Sequence, residues 1–140
     1  MSRTHRLLYR MTGSRAGGSV AGMPVLLLTT TGRRSGKPRT TPLTFFKDGE
    51  DIVVIASFGG SDRPPGWSCN LRDDPHATVT IGRSNLDVTA REATEVERER
   101  LWPVITRAYA GYARYQERTT RLIPVILLIP LRDDPASIDG

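Results

Sequence analysis

Short runs of β-forming residues, separated by turn signals, set the hydrophobic pattern of the chain. They predict six strands, over residues 25–31, 39–47, 52–56, 77–81, 86–90 and 125–129. The run 52–56 is apolar throughout and mostly β-branched, which predicts a strand buried on both faces. Apolar and polar residues alternate in 77–81 and 86–90, which predicts a hairpin with one face in solvent.

Helical signals occur in two places. Residues 67–72 predict one or two helical turns, which Pro75 ends. Thr94 opens a capping box, with a glutamate three residues later, so a helix should begin there and run to about Leu101. Pro103 is then expected either to break this helix or to open a second one.

These elements predict a mainly β fold of the α+β class. About six strands joined mostly by short turns, with a few short helices, favour a closed or half-closed antiparallel barrel. The strand–helix alternation of a doubly wound sheet is absent from the pattern. We expect a basic arm or helix over residues 1–24, a barrel domain over 25–131 and a polar tail over 132–140.

Composition limits the chain to one domain, and charge points to an anionic partner. The 140 residues are 38% hydrophobic, enough for a single core. The single cysteine, Cys69, excludes an internal disulfide and favours a reducing, cytoplasmic setting. Together with only two histidines, which are far apart in the sequence, it makes a poor metal set. Residues 1–40 carry eight cations and no acid, which suits nucleic acid, an anionic membrane surface or a polyanionic small molecule.

The first 24 residues interleave cations with apolar side chains. Arginines at positions 3, 6, 10 and 15 surround Leu7, Leu8, Tyr9 and Met11. This pattern is typical either of a partly ordered arm or of a helix that covers a site or touches an anionic membrane. The later apolar run 122–131 is about half the ~20 residues that a spanning helix needs, so it predicts a buried strand.

The stretch from Thr29 to Pro42 predicts a β-hairpin with a cationic tip. It contains two glycines, Gly32 and Gly36, which can supply positive φ angles in a tight connection. Four cations lie between the two strands: Arg33, Arg34, Lys37 and Arg39. Such a loop suits a phosphate or carboxylate, or is simply a solvated basic tip. The spacing is not that of a Walker loop.

Three tyrosines, Tyr109, Tyr112 and Tyr115, follow at spacing three and predict a shared helical face. Core packing explains such a stripe, and so does a wall for a planar ligand with hydroxyls at its polar edge. No serine, cysteine or histidine lies in a recognisable nucleophile setting. A chain of this kind can still be an enzyme if a cofactor brings the reactivity.

Several motifs carry a family resemblance. They are the segments 27–39 and 55–60, Trp67 with Asn70-Leu71, Asp74-Pro75, Trp102-Pro103 and the tyrosine series. With these the chain resembles the deazaflavin-dependent nitroreductases, also called F420-dependent quinone reductases, over residues 22–130. The resemblance implies a split β-barrel like that of the flavin-binding pyridoxamine-phosphate oxidases. It also implies hydride transfer from reduced coenzyme F420, an 8-hydroxy-5-deazaflavin, to a quinone or nitroaromatic acceptor.

The resemblance further implies the site residues. The expected coenzyme contacts comprise a phosphate loop, its following strand, a strand end meeting the deazaflavin ring and a short closing helix. They are Arg33, Arg34, Ser35, Gly36, Arg39, Thr40, Thr41, Pro42, Leu43, Ala56, Ser57, Phe58, Gly66, Trp67, Asn70 and Tyr112. The expected catalytic set is Ser57 with Tyr109, Tyr112 and Tyr115, of which Tyr112 or Tyr109 would hydrogen-bond the acceptor oxygen. Many relatives in this family carry a lysine in place of Phe58, and they usually carry bulkier residues in place of Ser68 and Cys69.

Two alternatives share the barrel architecture. One is an FMN- or haem-binding split barrel. The other is a nucleic-acid-binding barrel, which the absence of aromatic residues from 25–41 disfavours because such barrels stack bases on aromatic rings. Of the partners considered, we expect a small-molecule acceptor, no nucleic acid, and a monomer or homodimer. Peripheral contact with an anionic membrane through the arm stays open.

Overall fold

The computed structural model describes residues 19–20, 23–57, 63–120 and 122–131. Within these ranges it contains eight strands: β1 Ser19–Val20, β2 Met23–Thr31, β3 Pro38–Thr44, β4 Phe46–Asp48, β5 Asp51–Ile55, β6 His76–Ile81, β7 Ser84–Glu92 and β8 Val125–Pro130. The same ranges contain three helices: α1 Gly66–Asp73, α2 Glu95–Ala108 and α3 Gly111–Glu117. The predicted mainly β pattern is confirmed, and the two strands beyond the expected six are a split strand and the two-residue β1.

All strand pairs are antiparallel, and the sheet curls round on itself. The pairing order runs β1-β2-β6-β7-β8-β5-β4. Strand β3 pairs with β2 on the edge opposite β6. Strands β3 and β4 therefore lie at opposite ends of the path, yet only Phe45 separates them in the chain. This is possible only if the sheet closes most of a circle, leaving a gap between β3 and β4.

Strand β5 is buried on both faces, as its continuous apolar run predicts. Ile52 and Val54 face the barrel core, which also receives Leu26 from β2 and Leu128 from β8. The alternate residues Val53 and Ile55 face a second apolar cluster, formed with side chains from β8, α2 and α3. Because β5 and β8 are buried on both faces, they lie between the barrel core and helices α2 and α3, which pack outside the barrel.

The expected strand over residues 39–47 is in fact two. β3 ends at Thr44 and β4 begins at Phe46, because Phe45 turns its side chain into the barrel core. The N–H of Phe45 donates instead to the carbonyl of Pro24, with 3.2 Å between N and O. This break marks the corner at which the chain leaves one end of the sheet for the other.

The expectation of a helix break at Pro103 is wrong. Helix α2 begins after Thr94 with the predicted capping box and continues through Pro103 to Ala108. The proline ring lies on the exposed side of the helix, so it removes one backbone hydrogen bond without disturbing the buried side, where Leu101 and Ile105 pack. Helix α2 ends only at Ala108, with Tyr109 as its C-cap, and α3 starts at Gly111.

The amino-terminal arm and the carboxyl-terminal tail lie almost wholly outside the described residues, so their expected boundaries stay predictions. Phe58 also lies outside them. Within the described part of the chain, no helix has both the length and the apolar content to cross a bilayer.

Candidate functional site

A groove of about 890 Å³ opens between the tip of the β2–β3 hairpin and helix α1. Its walls combine guanidinium groups, small hydroxyls and a few apolar side chains. The lining residues are Gly32, Arg33, Arg34, Ser35, Arg39, Thr41, Leu43, Ser57, Arg63, Pro64, Pro65, Gly66, Trp67, Cys69 and Asn70. The groove thus brings together the hairpin, the end of β5 and α1, which the sequence predicts as separate parts of one site.

Strand β3 presents alternate residues to the groove. Arg39, Thr41 and Leu43 line it, as the two-residue period of a strand requires. The expected contacts Thr40 and Pro42 lie on the opposite face, where the Thr40 hydroxyl is 2.9 Å from that of Thr29. Two of the five expected strand contacts therefore do not line the groove, because the expectation covered consecutive residues of a strand.

The hairpin tip is closed by its two glycines for different reasons. Gly36 has a φ of 72°, as expected, but Gly32 does not need a positive φ. Space is tight at Gly32 instead: a Cβ there would lie 2.8 Å from the Ser35 Oγ and 3.2 Å from the Lys37 carbonyl oxygen, so the serine side chain would have to move aside. The close approach lets the Gly32 N–H donate to Lys37 at 2.8 Å and the Gly36 N–H donate to Gly32 at 2.8 Å. Gly36 itself does not line the groove.

Four arginines line the groove: Arg33, Arg34, Arg39 and Arg63. None of the described lining residues is acidic, so like charges face one cleft, an arrangement that favours an anionic ligand. Sequence reasoning missed Arg63, because it lies in a glycine- and proline-rich loop with no motif of its own. In the structure it lines the same groove as the hairpin cations.

Asn70 ties the cationic hairpin to helix α1. Its Oδ1 accepts the backbone N–H of Arg33 at 3.2 Å and Arg33 Nη1 at 3.0 Å. Its Nδ2 donates to Thr30 Oγ1 at 3.1 Å. Arg33 Nη1 also donates to the Gly66 carbonyl, at 3.4 Å. The expected contacts Arg33, Gly66 and Asn70 therefore form one hydrogen-bonded unit.

Helix α1 forms the floor of the groove. Trp67 and Leu71 anchor it in the barrel core, while Cys69 is half-buried on the groove side. The helix ends before Pro75, as predicted, with Asp74 as its last capping residue. At the neighbouring end of β5, Ser57 lines the groove but Ala56 is fully buried in the core, so Ala56 has no surface to offer a ligand.

The three tyrosines lie together, away from the groove lining. We call Tyr109, Tyr112 and Tyr115 the tyrosine cluster. Their rings meet edge to face, with centroids 5.1 Å apart for Tyr109–Tyr112, 6.0 Å for Tyr112–Tyr115 and 6.4 Å for Tyr109–Tyr115. They do not share one helix, because Tyr109 caps α2 and the other two belong to α3.

The tyrosine hydroxyls are paired. The Tyr112 hydroxyl is 2.7 Å from Thr44 Oγ1, and those of Tyr109 and Tyr115 are 3.5 Å apart. Burial raises the pKa of Tyr112 above its ordinary value of 10.0. The hydrogen bond with Tyr109, followed by burial, raises the pKa of Tyr115. Both phenols are therefore protonated at neutral pH and can donate hydrogen bonds.

The described residues offer no metal ligand set, since no three histidine, cysteine or carboxylate side chains are near enough to share an ion. The groove is instead suited to an anionic ligand that also has an apolar part. Three of its four arginines belong to the hairpin, Arg63 precedes α1, and Leu43 and Trp67 supply apolar surface.

Comparison with solved structures defines the class of fold. The chain superposes with a TM-score of 0.56 and 22% identity on a Listeria innocua chain assigned as a pyridoxamine 5'-phosphate oxidase, covering 77% of this chain and 84% of that one. It superposes with a TM-score of 0.57 and 15% identity on the haem storage protein HutZ from Vibrio cholerae, covering 77% and 82%. These likenesses confirm the split β-barrel and concern the fold alone.

Closer relatives define the family. A model of the F420H(2)-dependent quinone reductase family matches residues 1–130. An F420H(2)-dependent quinone reductase of Mycobacterium tuberculosis is 40% identical over 130 residues, covering 90% of this chain and 87% of the relative. The structure of an F420-H2 dependent reductase is 42% identical with a TM-score of 0.69, covering 75% and 93%. A chain described as a domain-swapped dimer is 39% identical with a TM-score of 0.71, covering 91% and 94%. The chain belongs to the F420H(2)-dependent quinone reductase family.

Proposed function

We propose that this chain is an oxidoreductase that passes a hydride from reduced F420 to a quinone, with the coenzyme held in the groove. Family membership supports the coenzyme and the reaction class. The observation that carries the site is the groove lining, in which four arginines face a single cleft beside apolar surface. An anionic coenzyme would neutralise these charges and occupy the apolar part with its ring.

The residues present fit such a coenzyme. The volume of about 890 Å³ lies within the range of roughly 300–1,000 Å³ that is typical of cofactor sites. The lack of a side chain at Gly32 lets the hairpin backbone fold close under Ser35. When bound, reduced F420 supplies the hydride.

The hairpin would hold the phosphodiester of the coenzyme. Arg33 and Arg34 offer charge-assisted hydrogen bonds, and Ser35 adds a hydroxyl beside them. Arg39 continues this positive surface along β3. Further along the groove, Leu43 and Trp67 would contact the ring, with Ser57 at the strand end as its hydrogen-bonding neighbour.

The tyrosine cluster would act on the acceptor. Thr44, which pairs with the Tyr112 hydroxyl, directly follows the groove residue Leu43 in β3. By the two-residue period of β3, Thr44 lies on the face opposite Leu43, so Tyr112 would reach an acceptor that extends round the end of β3 beyond the groove lining. As negative charge develops on an acceptor oxygen, Tyr112 would donate a hydrogen bond to it and then supply a proton.

The discriminating experiment measures electron donors and acceptors side by side. Purified protein is assayed with reduced F420, reduced nicotinamide and reduced FMN, each against a quinone and a nitroaromatic compound. We expect turnover with reduced F420 and quinone. A nitroaromatic is the second acceptor class, and turnover with it would extend the function to nitroreduction. Turnover with reduced FMN alone, or retention of FMN or haem absorbance through gel filtration, would contradict the proposal.

Membrane contact is a separate proposal that rests on the sequence of residues 1–24. Four arginines among apolar residues would each contribute ~1 kcal/mol near an anionic surface, which gives weak, salt-sensitive attachment. Deleting residues 1–16 should abolish binding to anionic vesicles and slow turnover only with a lipid-embedded quinone. If a water-soluble quinone slows equally, the arm serves the site and not the membrane.

A homodimer is the assembly we propose. It is supported by the 39% identical chain described as a domain-swapped dimer. Light scattering after gel filtration measures the molar mass directly, and a mass of one chain across the micromolar range would contradict the dimer.

A further inference from the structure

The buried amide of Asn70 connects three parts of the chain. Only 6% of the residue surface is exposed, although it lies at the groove. Its partners are the backbone and side chain of Arg33 on the hairpin tip and the hydroxyl of Thr30, which is itself 2% exposed. The amide orientation is fixed by these partners, because both Arg33 groups are donors and only the oxygen of the amide can accept them.

The hydrogen-bonding capacity of Asn70 is nearly used up by these contacts. Both lone pairs of Oδ1 are occupied by Arg33, and one of the two Nδ2 hydrogens is donated to Thr30. At most one N–H is left for a ligand. A role as a principal coenzyme contact, which the family resemblance implies, therefore suits Asn70 poorly.

The same contacts decide how Arg33 faces the groove. Nη1 has two N–H groups and two acceptors, the oxygens of Asn70 and Gly66. The Nε and Nη2 edge of the guanidinium remains, and this is the edge that binds a phosphate side-on through two parallel hydrogen bonds. Holding a long side chain in that orientation before the ligand arrives reduces the entropy lost on binding.

Arg34, the next residue, differs in this respect. It is exposed and lines the same groove, but within the described part of the chain no hydrogen bond or ion pair fixes its guanidinium. The two neighbouring cations therefore differ in that hydrogen bonds orient Arg33, whereas none within the described residues orients Arg34.

We propose that Asn70 is a positioning residue that orients Arg33 for the coenzyme phosphate and acts only through it. This inference rests on the proposed coenzyme site. It predicts that the effect of Asn70 on F420 binding disappears when Arg33 is absent but persists when Arg34 is absent.

The test is a pair of double-mutant cycles read by fluorescence titration with oxidised F420. Asn70→Ala should weaken binding about tenfold in the wild-type background and less than twofold in the Arg33→Ala background. In the Arg34→Ala background it should again weaken binding about tenfold, since additive effects mark independent groups. Equal effects of Asn70→Ala in all three backgrounds would overturn the proposal and indicate direct contact with the coenzyme.

A second measurement needs no coenzyme. In the free protein, hydrogen exchange of the Arg33 backbone amide should accelerate in Asn70→Ala, because that amide loses its acceptor. Asn70→Leu, which has nearly the shape of asparagine, guards against loss of fold and should give the same acceleration. Asn85→Ala removes an asparagine that accepts a threonine hydroxyl at 2.8 Å outside the groove, and it should change neither readout.

The outcomes separate the two proposals. If Arg33→Ala and Arg34→Ala both leave F420 affinity unchanged, the coenzyme site is wrong, while the exchange experiment still reports on the Asn70–Arg33 link. If Arg33→Ala weakens binding but exchange at Arg33 is unaltered in both Asn70 variants, the site stands and the positioning role is wrong.

Discussion

The groove and the tyrosine cluster are built on opposite principles. The groove is an open cleft lined by exposed cations, and none of its described lining residues is acidic. The tyrosine cluster packs its rings against one another and against buried Ile105 and Ile123. The Tyr112 hydroxyl pairs with Thr44, and those of Tyr109 and Tyr115 pair with each other. In the groove, one edge of the Arg33 guanidinium is left to bind a ligand, whereas the groups of the cluster are held by their own packing. Substitutions in the groove should therefore cost affinity, and those in the cluster should act on turnover or stability.

The strongest test of this contrast removes two groove cations. Arg33→Ala combined with Arg34→Ala should weaken F420 binding by roughly 10² to 10⁴-fold, because charge-assisted hydrogen bonds contribute roughly 1.5–3 kcal/mol each. Both residues are exposed, so Tm should stay within a few degrees of the wild type. Fluorescence titration and thermal melting measure the two quantities.

Arg83→Ala is the matched control, since Arg83 is an exposed cation between β6 and β7 that does not line the groove. It should leave F420 affinity unaltered. If it weakens binding as much as the double variant, general positive charge and not the hairpin attracts the coenzyme.

The next largest effect concerns the tyrosine cluster. Tyr112→Phe removes one hydroxyl and its hydrogen bond to Thr44 while leaving the ring packing in place. Turnover with a quinone should fall at least tenfold, since a positioned proton donor typically contributes 10²–10⁴-fold. The lost bond contributes about 1 kcal/mol to the free energy of unfolding, so Tm should drop by only a few degrees.

Steady-state kinetics per folded molecule decides between chemistry and packing at Tyr112. F420 affinity should stay unchanged, because the ring lies outside the groove lining. A large fall in Tm with normal turnover would mean that the cluster is core packing and takes no part in the reaction.

The sequence predicts the barrel better than it predicts the end of α2. Strand positions follow from two-residue alternation and from the buried run of β5, and both signals are local. The fate of Pro103 is decided by whether its ring faces solvent, which depends on the packing of Leu101 and Ile105 beneath it. A one-dimensional pattern does not contain that information.

The sequence predicts the hairpin side of the candidate site. It does not predict which residues from distant parts of the chain line the same groove. The motif predicts Arg33, Arg34 and Ser35 as coenzyme contacts, and all three line the groove. Arg63 was missed because its relation to the hairpin is purely spatial. The assignment of Asn70 to the site came from family resemblance, and its link to Arg33 spans 37 residues of sequence.

A smaller, paired effect uses two glycines that have close neighbours. Gly32→Ala would press a Cβ against Ser35 Oγ at 2.8 Å, and Gly111→Ala would press one against the Tyr109 ring at 2.5 Å. We expect Gly32→Ala to weaken F420 binding severalfold. We expect Gly111→Ala to lower the free energy of unfolding by roughly 1–3 kcal/mol, as overpacking does, with normal F420 affinity.

Fluorescence titration with F420 and thermal melting of both alanine variants show whether each glycine supports coenzyme binding or stability. The contrast between groove and cluster breaks if Gly111→Ala impairs F420 affinity more than Gly32→Ala does. It would then follow that α3 supports the coenzyme directly.

The smallest expected effect concerns the start of α2, and it disappears in acid. The Glu97 carboxylate accepts both Arg91 Nη1 and Nη2 at 2.8 Å, and the backbone N–H of Thr94 at 2.8 Å. The hydrogen bonds from Arg91, and then that from Thr94, lower the pKa of Glu97 from 4.5 to about 2. A carboxyl group whose pKa is lower in the folded state stabilises the fold above its unfolded pKa, and this contribution is lost as pH falls through the folded pKa.

Glu97→Gln should therefore lower Tm slightly at neutral pH, and the difference from the wild type should shrink between about pH 4.5 and pH 2. The group is largely solvated, so the shift in Tm should be near the limit of measurement. Because α2 packs over the tyrosine cluster through Leu101 and Ile105, any loosening should reach the cluster and leave F420 affinity at neutral pH intact. Melting curves at several pH values test the sign. A Tm difference that instead grows as pH falls from 4.5 would contradict the lowered pKa, because it would require the protonated form of Glu97 to be the one that stabilises the fold.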